Sequence, residues 1–177
     1  NAAAAIWLTR INSVLRNTPT ARIRSVAAGL AEVCGRADRL PGEPALASPV
    51  TGLPCLWFCV DTFEVDGNGR RRFTGTQRSD STFTLVDDGH WLVVDPDGAE
   101  VHIKREQTFQ SPGRVQKERV ILENDSLTVV GLCRPLSGDG KLADDARRIK
   151  IMQRPDGLAA PFLISDDNPE QTQQQMG

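Results

Sequence analysis

The chain has 177 residues, 39% of them hydrophobic and 25% charged, with 21 basic against 23 acidic side chains. That is one ordinary domain with enough length to bury a core, and its near-neutral balance excludes a general drive toward nucleic acid or anionic lipid. Six Phe, three Trp and no Tyr leave little material for a base-stacking platform. The longest uncharged run at the start, residues 1–9, falls far short of the ~20 apolar residues of a membrane span.

Residues 2–16 predict a helix: four alanines favour it, and Ile6, Trp7, Ile11, Val14 and Leu15 recur near helical spacing. Asn17-Thr18-Pro19 ends it, because a residue before proline avoids the α region. From Arg22 the period shortens toward 2. Ile23, Ser25 and Ala27, then Leu30, Glu32 and Cys34, predict strands broken at Gly29. A Pro/Gly-rich loop covers residues 40–54. Residues 55–65 and 70–76 predict a hairpin around Asp66-Gly67-Asn68-Gly69. Strands follow at 82–86, 91–94 and 99–104, separated by Asp87-Asp88-Gly89 and Asp95-Pro96-Asp97-Gly98. Residues 105–116 read as a mobile polar loop. Strands at 117–122 and 126–134 flank Glu123-Asn124-Asp125, another is expected at 147–153, and Phe162-Leu163-Ile164 is short and apolar. The expected architecture is mainly β: an antiparallel barrel- or sandwich-like domain with an N-terminal helix. Its boundaries are a juxtamembrane helix at 1–16, a β domain at 17–167 and a polar tail at 168–177.

Four cysteines, Cys34, Cys55, Cys59 and Cys133, form no C-x-x-C pair, and His90 and His102 are the only histidines. This pattern does not make a structural zinc site. On a straight strand Cys55 and Cys59 share a face about 13 Å apart, too far for a disulfide. Buried free thiols are expected, with a Cys34–Cys133 bridge open in an oxidising compartment.

One set of residues carries a family likeness. Asn17-Thr18-Pro19, Ile23-Arg24-Ser25 and Gly29-Leu30-Ala31-Glu32-Val33 lead to Ser48-Pro49-Val50-Thr51-Gly52-Leu53-Pro54-Cys55. Phe83-Thr84-Leu85-Val86-Asp87-Asp88-Gly89 and Val93-Val94-Asp95-Pro96-Asp97-Gly98-Ala99 follow, and Pro161-Phe162-Leu163-Ile164-Ser165-Asp166 closes the series. Over residues 17–167 this resembles the GIDE domain, also called the "beside a membrane" domain. That domain is the inter-membrane part of mitochondrial and chloroplast outer-membrane ubiquitin ligases and of related prokaryotic membrane proteins. The resemblance implies a domain set between two transmembrane helices on the extracytoplasmic side, in a bacterium the periplasmic side. It implies recognition or envelope scaffolding rather than catalysis. Ubiquitin transfer in that family belongs to a separate RING with paired zinc ligands, which these four scattered cysteines do not make, so ligase activity is not expected here. The implied partners are a membrane, reached through flanking segments outside this chain, and a protein of unknown identity.

Sites of chemistry are sparse. His90 with Ser79, Ser81 or Ser126 lacks a G-x-S-x-G elbow, and His102 alternates with Val101 and Ile103 toward solvent. Asp95-Pro96-Asp97-Gly98 lacks the remaining ligands of a calcium loop, and Gly138-Asp139-Gly140-Lys141 is no phosphate loop. No catalytic residue, metal ligand or cofactor is expected. Arg70-Arg71-Arg72 is the sharpest charge run, with Arg71 on the face opposite Arg70 and Arg72. It either guards a sheet edge or contacts an acidic partner or phosphate head groups. Arg147, Arg148 and Lys150 form a similar run. The ends are charged oppositely: residues 1–40 hold six Arg against Glu32 and Asp38, and residues 156–177 hold four acids and no base. The leading expectation is a non-catalytic recognition domain whose contact surface lies on loop 40–54 or loop 107–116. The alternative is a β-barrel carrier of a small molecule or lipid, marked by an apolar interior cavity.

Overall fold

A computed structural model of the chain describes Thr18 and residues 20–135, 150–154 and 161–166. The helix expected at 2–16, the tail at 168–177, Arg147, Arg148 and Gly138-Asp139-Gly140-Lys141 lie outside the described residues. The elements in order are β1 (Thr20–Ala21), a 3-10 turn (Ile23–Ser25), β2 (Gly29–Asp38), β3 (Leu46–Ala47), β4 (Pro54–Cys55), β5 (Trp57–Val65) and β6 (Arg71–Arg78). They continue with β7 (Phe83–Asp87), β8 (His90–Val94), β9 (Glu100–His102), β10 (Glu106–Ser111), β11 (Arg114–Ile121), β12 (Ser126–Pro135), β13 (Lys150–Gln153) and β14 (Leu163–Ser165). The fold is mainly β, and no α-helix occurs among the described residues.

Eight strands form one sheet in the order β1-β2-β7-β8-β13-β12-β14-β9, and β2 also pairs with β12. That extra ladder bends the sheet back over its core, but the end strands β1 and β9 do not pair, so the expected barrel is not what forms. Nor is the sheet purely antiparallel, because β1–β2, β8–β13 and β9–β14 are parallel. Sequence alternation reports burial, not strand direction, and long-range parallel pairs leave no local turn signal. A four-stranded antiparallel sheet runs β10-β11-β5-β6, and β3 and β4 make a small ribbon.

The main core draws on both large sheets. Trp57 and Ile121 of the four-stranded sheet join Phe83, Leu85, Leu92, Val129, Met152 and Ile164 of the larger one, all almost fully buried. Two arginines stitch the sheets together. Arg78 stacks 5.1 Å over the Trp57 ring and donates to the Ala99 carbonyl at 2.6 Å. Arg119 donates to the Val101 carbonyl at 3.0 Å. Among the described residues these side chains pack into one buried cluster spanning both sheets.

Three local expectations change. Of the two strands expected on either side of Gly29, the first does not form, since Ile23–Ser25 is a 3-10 turn, and the second is β2, which Gly29 opens at φ 124°. Its core face is Ala31, Val33 and Ala37, not the opposite parity of Leu30, Glu32 and Cys34. Residues 105–116, expected as a mobile loop, form the hairpin β10–β11 around Pro112-Gly113. Cys55 and Cys59 do not share a face. The break at Leu56 between β4 and β5 shifts the alternation, so Cys59 enters the main core and Cys55 a second apolar cluster.

Candidate interaction surface

Trp57 and Cys59 anchor one end of β5 in the main core. Alternation carries Asp61, Phe63 and Val65 outward along the same face toward the hairpin tip. The tip is built by Asp66. Its Oδ1 accepts the backbone N–H groups of Asn68 and Arg70, each at 2.9 Å, and Gly69 turns at φ 77°. Arg70 therefore closes the turn, while Arg71 and Arg72 begin β6, an outer strand of the sheet.

Register then assigns the faces. Arg71 stands opposite Val65, and Phe73 opposite Phe63, with Val115 on the far side of Phe63. Directly opposed residues share a face, so Phe63, Phe73, Val65 and Arg71 lie on one face, with the buried Val115 beside Phe63. Phe63 and Phe73 meet edge to face with centroids 5.6 Å apart. Phe73 is 55% exposed, against 36–38% for the other exposed large hydrophobics Leu30, Leu53 and Trp91. The reverse face carries the row Arg72, Glu64, Arg114, and Arg72 is ion-paired to Glu64. Among the described residues, Arg70, Arg71 and Arg114 enter no ion pair. The tip thus presents an apolar centre with a cationic surplus, because Glu64 is spoken for and Asp66 is committed to its turn. A register shift between Thr62 and Phe63 leaves Thr74 as a bulge, with its hydroxyl donating to the Thr62 carbonyl at 3.1 Å.

Sequence reasoning found the arginines but missed Phe63 and Phe73. The signal was present: Phe63 and Phe73 sit symmetrically about the Asp66–Arg70 turn, on what alternation makes one face.

Of the two loops expected to hold a contact surface, 107–116 lies in the β10–β11 hairpin, and part of 40–54 is tied down to the sheet. Within 40–54, Ser48-Pro49-Val50-Thr51 folds down onto the four-stranded sheet, where the carboxylate of Glu118, only 3% exposed, receives it. Glu118 Oε2 accepts the Val50 N–H at 3.0 Å, and Oε1 accepts the Thr51 hydroxyl at 2.6 Å. The Ser48 hydroxyl lies 2.5 Å from Thr51 Oγ1. Leu46 and Val50 close over Cys55, Phe58, Val60 and Val120. Residues 48–51 are therefore a clasp over a second core. Burial, helped by the nearby Glu118 charge, pushes the Cys55 thiol up from the ordinary 9.0 to about 11. Burial raises Cys59 as well, opposed by the Arg119 guanidinium, whose Nη2 lies 3.4 Å from Cys59 Sγ.

The remaining candidates are dispersed. His90 Nδ1 meets the Asp88 carbonyl at 3.0 Å, while the Ser79 hydroxyl accepts the Phe58 N–H at 3.0 Å on the other sheet. His102 is exposed beside Glu100, Nε2 to Oε1 2.8 Å. Asp95-Pro96-Asp97-Gly98 is a tight turn, closed by Ala99 N–H to Pro96 carbonyl at 3.0 Å. Among the described residues no three His, Cys, Asp or Glu converge as metal ligands. None of the four cysteines is in a disulfide. Cys34 sits opposite Thr128 and Cys133 opposite Gly29, five steps apart along the ladder and about 17 Å, so they do not bridge. An open cleft of about 240 Å³ is lined by polar groups including Cys34, Arg36, Asp87 and Ser126.

Comparison of the chain with protein-family models, with curated proteins and with solved structures yields no match in any of the three.

Proposed function

We propose that the chain is a non-catalytic recognition domain that holds an acidic protein partner on the tip of its four-stranded sheet. The observation that carries this reading is Phe73, the most exposed large hydrophobic described, seated on Phe63 with Arg71 on the same face. Aromatic and arginine side chains dominate binding energy when a partner desolvates them. The uncompensated charges of Arg70, Arg71 and Arg114 add attraction for an acidic surface. The setting proposed is the one the GIDE resemblance implies: the domain is tethered through flanking segments beside a membrane, on its extracytoplasmic side. Support for that setting is the sequence likeness alone.

The experiment compares immobilised wild-type domain with the double variant Arg71→Glu, Phe73→Ser in a native-membrane extract. Wild type is expected to retain a protein that elutes as salt is raised, since exposed charge attraction is screened. Equal retention by the double variant removes the reading.

A further inference from the structure

The four-stranded sheet has two outer strands, and they are guarded differently. β6 carries Arg71, Arg72 and Arg78 and is interrupted by the Thr74 bulge. Charge and bulges are the usual means of keeping an edge from pairing with another chain. β10, Glu-Gln-Thr-Phe-Gln-Ser, has no bulge and a single charged residue. It pairs with β11 over six consecutive residues without a register shift. It contains no proline, no lysine or arginine and one charge, Glu106, which lies 3.8 Å from Lys117 of β11. All its residues but Phe109 are exposed, and no described strand pairs with its outer side.

The direction of its backbone groups follows from the turn. Pro112-Gly113, with Gly113 at φ 72°, is a two-residue loop, so the flanking Ser111 and Arg114 form the doubly bonded pair. Alternation then directs Phe109 and Gln107 toward β11 and leaves the N–H and C=O of Thr108 and Gln110 pointing away from the sheet. These groups form a regular, unblocked template for one more strand.

We propose that β10 is a self-association site: two copies of this chain add β10 to β10 antiparallel, joining two four-stranded sheets into one of eight strands. The occupant is a second copy because the edge complements itself. A two-fold axis normal to the sheet pairs residues of the same face, so it passes through Thr108 or Phe109. With the axis at Thr108, Glu106 faces Gln110 of the other copy; with the axis at Phe109, it faces Pro112. Neither places carboxylate against carboxylate, whereas β6 paired with itself would bring its arginines together. A single six-residue edge is smaller than the ~1,200 Å² at the low end of stable interfaces, so the association is weak and depends on concentration. This site is distinct from the Phe73 surface and does not rest on it.

Sedimentation equilibrium of the domain between about 10 μM and about 1 mM tests it. The wild-type mass is expected to climb toward two chains. The double variant Thr108→Glu, Gln110→Glu puts carboxylate against carboxylate with either axis and should move the transition to about tenfold higher concentration. Thr108→Pro removes an outward N–H while sparing the β10–β11 bonds, and should act in the same direction. Gln77→Lys on β6 should leave the transition in place, and circular dichroism of each variant at low concentration should match wild type. A wild type that stays monomeric throughout, or β10 variants that associate like wild type, overturns the proposal.

Discussion

Phe73 stands edge-on to Phe63 across the β5–β6 ladder, ring centroids 5.6 Å apart, and still leaves 55% of its surface in solvent. An aromatic pair of this geometry adds about 0.5–1.5 kcal/mol, little enough that folding does not explain an exposed ring. Phe73→Ser is expected to cost about 1 kcal/mol in urea denaturation. A loss above about 3 kcal/mol would mark Phe73 as a core residue and weaken its assignment to a partner.

Glu118 is the opposite case, a buried charge with a structural task. Glu118→Ala strands the Val50 N–H and the Thr51 hydroxyl, each bonded to a carboxylate oxygen. The expected loss is about 3 kcal/mol. Amide exchange at Val50 should accelerate, because the clasp opens over Cys55 and Phe58. Unchanged protection at Val50 would show that the apolar cluster alone holds the loop.

Gly35 marks the point where β2, still paired with β12, takes up β7 on its other side. A Cβ there would lie 2.7 Å from the Val86 carbonyl oxygen and 2.9 Å from Leu85 Cγ, and the backbone cannot yield cheaply. Gly35→Ala is expected to destabilise by about 1–3 kcal/mol. Gly67→Ala, with no heavy atom within 4 Å of the new methyl, serves as the near-neutral control. Equal effects would contradict the close packing of β2 on β7.

Much of the fold was legible because its turns carry their own chemistry. Asp66-Gly67-Asn68-Gly69, Asp87-Asp88-Gly89 and Asp95-Pro96-Asp97-Gly98 all turn where expected, with Gly69, Gly89 and Gly98 at positive φ. What lay beyond the sequence was non-local. The parallel pairs β8–β13 and β9–β14 join segments about 60 residues apart and leave no turn signature. β10 escaped notice because an outer strand exposed on both sides needs no apolar alternation, and Phe109 is its sole apolar residue. On the candidate surface, the charge of Arg71 could be read from the sequence. The exposure of Phe73 could not, because it depends on how far the β5–β6 hairpin reaches past the core.

The cysteines give a pH prediction with a definite sign. Cys55 keeps its proton in the folded chain up to about 11, against 9.0 for an ordinary thiol. Between those values the unfolded chain binds fewer protons, so stability is full below pH 9.0 and falls as pH rises to about 11. Cys55→Ser should remove that part of the decline in the denaturation midpoint; an identical slope contradicts it.

Cys34, partly exposed on the open cleft, should react with maleimide well before the three buried thiols. In intact cells carrying the full-length protein, a membrane-impermeant maleimide should reach it if the domain is extracytoplasmic. Labelling that requires lysis contradicts that placement.

The most direct test of recognition at the tip is photo-crosslinking in native membranes, with the photoreactive residue placed at position 73 or, for comparison, at position 91, where Trp91 is also exposed. The account predicts one recurrent protein adduct from position 73, absent from position 91 and lost when Arg71→Glu is added. Matching adducts from both positions, or an adduct from position 73 that survives Arg71→Glu, would contradict it.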